Sequence, residues 1–201
     1  MRFVPVLLAL VVGATLAGCI GGGVRPIMQF YLEPEAHPPV LDADGPTLAV
    51  RPLRAPRIYR QKIVYRDADF VLGQYDLNEW SEAPADILTR VIMEALRATG
   101  QFSDVAFSAD LTRSDAILTG EIRAFEEDRT QSPWHARCEV RLELRVGGAD
   151  RTLAWAETLT VHAPMARNHV ETLPEAMNRA LDALAAEITA AVSELDLPAS
   201  R

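Results

Sequence analysis

The chain has 201 residues, 49% hydrophobic and 24% charged, with a formal net charge of −8. The apolar share suits a domain with its own core and is too high for a disordered chain. The acidic balance excludes the dense basic surface that nucleic acid or electrostatic adhesion to anionic lipid would need, and two cysteines exclude a disulfide framework or a cysteine-built zinc site.

The first element predicted is an export signal. Arg2 is followed by the apolar run FVPVLLALVVGATLA from Phe3 to Ala17. A retained membrane helix needs about 20 apolar residues, and this run is shorter and holds Pro5 and Gly13. A positive start, a short apolar stretch and small residues before a cut are the parts of a signal peptide. Leu16-Ala17-Gly18-Cys19 resembles the bacterial lipobox. The resemblance implies cleavage between Gly18 and Cys19, S-diacylglycerol on the Cys19 sulfur and N-acylation of the new amino terminus. A cysteine suits that chemistry because its thiolate is the competent nucleophile. The organisation expected is therefore a lipoprotein signal peptide over 1–18, a lipidated glycine tether over 19–26 and one domain over 27–197.

Within the domain, Ile27 to Leu32 predicts a first strand and Thr47 to Leu53 a second, joined by a proline-rich connection. Arg54 to Arg60 reads as a basic, proline-interrupted turn. Lys62 to Arg66 and Asp69 to Tyr75 predict two more strands. A helix follows, with Ser81 as a possible cap and Pro84 in its first turn. Ile87, Leu88, Val91, Ile92, Ala95 and Leu96 repeat at helical spacing, and Gly100 stops the helix. Val105 to Phe107 is a short strand, and Asp115 to Thr130 a long one with a possible bulge at Gly120. Trp134 to Val146 alternates most clearly. His135, Arg137, Glu139, Arg141, Glu143 and Arg145 form one face, and Ala136, Cys138, Val140, Leu142, Leu144 and Val146 the other. This predicts a half-exposed strand in a hairpin with Arg151 to His162. A last helix runs from about Leu173 to Leu195. The economical architecture is α+β: one mostly antiparallel sheet with both amphipathic helices packed on one face.

No pattern for catalysis stands out. The histidines His37, His135, His162 and His169 lack metal-ligand spacing, and no serine sits in a nucleophile elbow. Glu126, Glu127 and Asp128 read as a solvated hairpin tip. Cys138 reads as a small buried hydrophobe in preference to a reactive thiol. The expectation is a protein without catalysis, metal or cofactor beyond the acyl groups on Cys19.

Binding is the remaining activity. The segment LAVRPLRAPRIYRQKIVYR, Leu48 to Arg66, interleaves Arg51, Arg54, Arg57, Arg60, Lys62 and Arg66 with Ile58, Tyr59 and Tyr65 inside an acidic protein. It is either a solvated connection or a contact surface for an acidic partner or a lipid headgroup, with Arg54, Arg57, Ile58, Tyr59, Arg60 and Arg66 as the candidate contacts.

The same segment carries a resemblance. Phe30-Tyr31-Leu32, the Leu48-x-Val50-x-Pro52 strand, Pro56 with Ile58 and Arg60, Ile63-Val64-x-Arg66, and Trp80 before a helix with Pro84 in its first turn together resemble the auxiliary lipoproteins of ABC-type transport systems, the group that includes the PqiC-like lipoproteins. The resemblance implies a non-enzymatic, lipid-anchored periplasmic subunit. Its implied partners are an MCE-domain protein, a membrane permease and an ATPase that together move lipid between the inner and outer membranes. It implies the periplasmic face of the outer membrane, since Ile20 stands where an aspartate often retains a lipoprotein in the inner one. The alternative from another class is an envelope-assembly or secretion-system lipoprotein with a different periplasmic partner.

Overall fold

The structure, a computed structural model, describes residues 25–36, 38–147 and 150–197. Gly18, Cys19 and the whole signal peptide lie outside the described residues. In chain order the elements are β1 (Met28–Phe30), β2 (Thr47–Val50), β3 (Lys62–Ala68), β4 (Val71–Trp80), α1 (Pro84–Ala98), β5 (Asp104–Phe107), β6 (Ala116–Asp128), β7 (His135–Val146), β8 (Thr152–Pro164), a short 3-10 turn (Val170–Thr172) and α2 (Leu173–Ser193).

The alternation of β7 sets the layers. Ala136, Cys138, Val140, Leu142 and Leu144 are fully buried and form the sheet's covered face. α2 lies across β7 and β8 and packs against α1. It brings Met177, Leu181, Leu184 and Ile188 to the core, and α1 brings Ile87, Leu88, Val91, Ile92 and Leu96. Both helices therefore lie on one side, as the apolar stripes predict. Pro84 opens α1, but Ala83 occupies the cap position without a side-chain bond. Ser81 instead donates its amide to the Phe30 carbonyl, at 2.7 Å. Gly100 ends the helix at φ 70°, a left-handed conformation that glycine adopts without strain.

The sheet corrects one expectation: it is mostly parallel by strand pairing. β1/β4, β2/β5, β2/β6 and β3/β6 are parallel. β3/β4, β6/β7 and β7/β8 are antiparallel. The periodicity of β7 reports only on its own two long neighbours. Each parallel pair has a short member, and in β2 the buried apolar run has no alternation to read.

The parallel pairs also explain the basic segment. One edge of β6 is shared: β2 pairs with its first part, Leu48↔Ala116 to Val50↔Leu118. β3 pairs with its last part, Val64↔Glu126 to Arg66↔Asp128. Between them the Arg54 amide donates to the Gly120 carbonyl at 3.0 Å, and the Ile122 amide donates to the Arg54 carbonyl at 2.8 Å. Residues 47–66 thus follow β6 as one interrupted strand, and residues 55–61 leave it as an excursion. The expected bulge at Gly120 falls later, where the β6/β7 register shifts between Ile122 and Ala124.

Candidate partner-binding site

The excursion does not present its residues alike. Arg57 and Arg60 are exposed, and the Arg54 side chain is 83% exposed. Ile58 is half-buried, and its carbonyl accepts from Gln74 Nε2 at 2.9 Å. Two expected contacts turn inward. The Tyr59 ring is 4% exposed, because its hydroxyl reaches back to donate to Glu126 Oε2 at 2.6 Å. Arg66 donates from Nε to Glu126 Oε1 at 2.6 Å. These two form the underside of the segment, so the candidate surface reduces to Arg54, Arg57, Arg60 and the edge of Ile58.

Glu126 and Glu127 are fully buried and Asp128 nearly so, which overturns the solvated tip expected for this run. A carboxylate is held inside a protein only when it is paired and hydrogen-bonded. Register supplies the partners. Glu126 faces Arg137 across β6/β7, whose guanidinium lies 3.2 Å from Oε1. With Tyr59 and Arg66 this gives Glu126 three donors. Glu127 projects to the opposite face of the sheet, where Oε1 accepts from Arg129 Nε at 2.6 Å and from the Tyr75 hydroxyl at 2.9 Å. Arg129 lies 3.8 Å from the Tyr65 ring centre and 4.6 Å from that of Trp134, a cation–π setting. Asp128 Oδ1 accepts from the Thr130 hydroxyl and amide at 2.6 and 2.9 Å.

These environments shift ionisation in ways their contacts explain. Burial and the Glu126 carboxylate push the Tyr59 phenol well above its usual range, and burial and Glu127 do the same to Tyr75. Burial raises the Asp128 carboxyl, but the two Thr130 bonds together with the nearby Arg137 and His162 outweigh it and hold it below the usual carboxylate value. That contribution to stability is present above the ordinary carboxylate range and lost as pH falls through the lowered folded value. Burial pushes the Cys138 thiol far above its ordinary range, the behaviour of a core side chain. Replacing Tyr59 with Phe should cost about 1.5 kcal/mol, the worth of a hydrogen bond to a charged group, read as a lower urea midpoint at unchanged slope.

Above this buried layer the open face of the sheet is a ladder of opposite charges. Arg137 pairs with Glu139 at 2.6 Å, and Arg141 and Arg145 pair with Glu143 at 3.3 and 3.4 Å. Glu121 is shared by Arg54 at 3.5 Å and Arg123 at 3.0 Å. A groove of 590 Å³ runs between the start of the excursion and the ladder, lined by Arg54, Ala55, Pro56, Glu121, Arg123, Arg137 and Glu139 among others. Exposed pairs of this kind add little stability and leave the guanidinium groups of Arg54 and Arg123 available to an anionic group. The sequence contains a signal for the ladder in the alternation of β7. Glu121 and Arg123 carry none, because their role depends on Arg54 lying beside β6. Among the described residues, no group of three or more His, Cys, Asp or Glu side chains is placed to hold a metal ion. No helix among them is long and apolar enough to cross a membrane.

The sequence model of the ABC-type transport auxiliary lipoprotein components matches residues 30–189. The chain belongs to this family. The match starts at β1 and ends within α2, so the groove, the excursion and the buried carboxylates all fall inside the family domain. No curated protein sequence matches the chain significantly. Among solved structures, protein XCC0632 from Xanthomonas campestris is similar at TM-score 0.70 and 23% identity, over 82% of this chain and 94% of that one. An uncharacterized protein is similar at 0.65 and 13%, over 84% and 99%. The hypothetical protein CT253 from Chlamydia trachomatis is similar at 0.51 and 11%, over 74% and 96%. At these identities the likeness establishes the fold: the auxiliary-lipoprotein domain is an eight-stranded sheet with two helices on one face.

Proposed function

We propose that this chain is the lipid-anchored periplasmic auxiliary subunit of an ABC/MCE-type lipid transport system, tied through acyl groups on Cys19 to the outer membrane. In this reading it acts as an adaptor without catalysis. The observation that carries the reading is membership of the ABC-type transport auxiliary lipoprotein family across nearly the whole domain. The Leu16-Ala17-Gly18-Cys19 sequence supports the anchor. The groove beside Arg54, with Arg57 and Arg60 on the excursion, supports a docking surface for an acidic segment of the partner protein. An adaptor has to bind and position its partner, and a mixed-charge face does this with register and specificity.

The test is purification of the full chain from membranes in gentle detergent, with identification of the proteins that accompany it. Recovery of an MCE-domain protein with a permease and ATPase is expected, and recovery of none of them would overturn the proposal. Cys19→Ala should move the chain from the membrane pellet to the soluble fraction. The double variant Arg54→Glu with Arg57→Glu should remain folded and anchored yet lose the accompanying proteins. Undiminished recovery would remove the groove from the interface.

A further inference from the structure

We propose that the tip of the β3–β4 hairpin, Phe70 with Val71 and Leu72, enters the interfacial layer of the membrane that holds the acylated Cys19, so that the domain has a fixed orientation on the lipid surface. This rests on the reading that Cys19 is acylated. Single exposed apolar residues are ordinary, but here three are consecutive: Phe70 is 99% exposed, Val71 53% and Leu72 37%. Phe70 sits in the two-residue hairpin turn closed by the Ala68↔Val71 pair, uncovered by the domain, and Val71 and Leu72 follow it as the partly exposed start of β4.

The strand directions point the chain before Met28 toward the same end. β1 runs parallel to β4, with Met28 opposite Asn78. The chain preceding Met28 therefore leaves the sheet in the direction of the start of β4, which is the hairpin tip. Asn78 lies at most about 26 Å from Phe70, the full rise of an extended strand, and less where the β3/β4 register shifts. The nine residues from Cys19 to Met28 span at most about 30 Å. The anchor and the tip can thus reach one plane, whereas the β7–β8 turn lies at the far end of the sheet.

The tip is also held in place. Arg66, bonded to buried Glu126, donates from its other nitrogen to the Asp69 carbonyl at 2.7 Å. Arg129, bonded to buried Glu127, pairs with Asp67 at 3.1 Å. The buried carboxylates thereby brace the turn that carries Phe70. Asp67 is neutralised by that pair, and an acidic domain gains nothing from charge at an anionic surface. Contact must come from apolar side chains, and Phe70 at the turn with Val71 behind it supplies them, while the exposed Asp69 carboxylate stays on the water side.

The experiment uses the acylated mature chain in phosphatidylcholine vesicles with lipid brominated near the headgroup end of the acyl chains. Phe70→Trp places a reporter at the tip. Leu153→Trp places one at an exposed position at the opposite end, since Leu153 pairs with Arg145 near the end of β7. Bromolipid should quench the added fluorescence of Phe70→Trp by at least about twofold more than that of Leu153→Trp, as expected for a side chain in the interface. Equal quenching on vesicles that retain the chain would overturn the proposal, give the tip to a protein partner and leave the anchor standing. A chain that lacks acyl mass on Cys19 and fails to float with the vesicles would overturn both readings.

Discussion

Glu126→Leu should lower stability by about 3–5 kcal/mol, the cost of removing one member of a buried ion network. At roughly 2–4 °C per kcal/mol for a domain of this size, the midpoint of thermal unfolding should fall by about 10 °C. The cause is not the loss of a favourable pair as such. Arg66 and Arg137 have side chains 16% and 22% exposed, and Tyr59 is more buried still. Without Glu126 the Tyr59 hydroxyl loses its acceptor, Arg66 keeps only the Asp69 carbonyl and Arg137 only Glu139. Glu126→Gln keeps the shape and one carbonyl acceptor, so it should cost less. Adding Arg66→Met to Glu126→Leu should recover part of the loss, because it withdraws one of the stranded charges. A double variant no more stable than Glu126→Leu would place the cost in packing and not in the stranded charge.

This cluster shows where the sequence stops being informative. The alternation of β7 depends on neighbours two residues apart, so its faces could be assigned from the chain alone. The burial of Glu126 depends on Tyr59 and Arg66, 67 and 60 positions earlier. A run of three acids reads as solvated even with Arg129 next to it; Arg129 and Arg137 are near in sequence, but Tyr59 and Arg66 reach Glu126 only through the parallel β3/β6 pairing. The same pairing was illegible in the short strands β2 and β3. Their apolar runs are equally compatible with either direction.

The basic segment was half legible for a related reason. Its composition marks it, and Arg54, Arg57 and Arg60 do reach the surface. What composition does not contain is phase. Residues 55–61 leave the edge of β6 and return, and within them Tyr59 turns back to Glu126 while Arg57 and Arg60 point out to solvent. Tyr59 and Arg66 hold the excursion down, and the exposed arginines are what they hold up. The buried carboxylate and the candidate surface are therefore one structural unit: disturbing Glu126 should loosen both the excursion and the hairpin tip that Arg66 braces.

The second large effect belongs to Trp80. Trp80→Ala should cost about 3–5 kcal/mol, the range for emptying a large aromatic site in a core, read as a loss in the urea midpoint. The ring is 1% exposed and meets Phe125 edge to face at 5.6 Å. Its backbone ties three segments at the top of the sheet. The Trp80 amide donates to Gln61 at 2.6 Å, Phe30 lies opposite it in β1, and α1 begins shortly after. A cavity there strips the Phe125 ring of its edge-to-face partner in the middle of the core. Trp80→Phe should cost far less, under about 1.5 kcal/mol, as a volume-reducing change that keeps an aromatic partner for Phe125. The indole nitrogen has no hydrogen-bond partner among the described residues, so the swap breaks no polar contact and relieves a buried unpaired N–H. If Trp80→Phe were as damaging as Trp80→Ala, the indole nitrogen would have to bond a group outside those residues. The aromatic packing would then not be what makes this position matter.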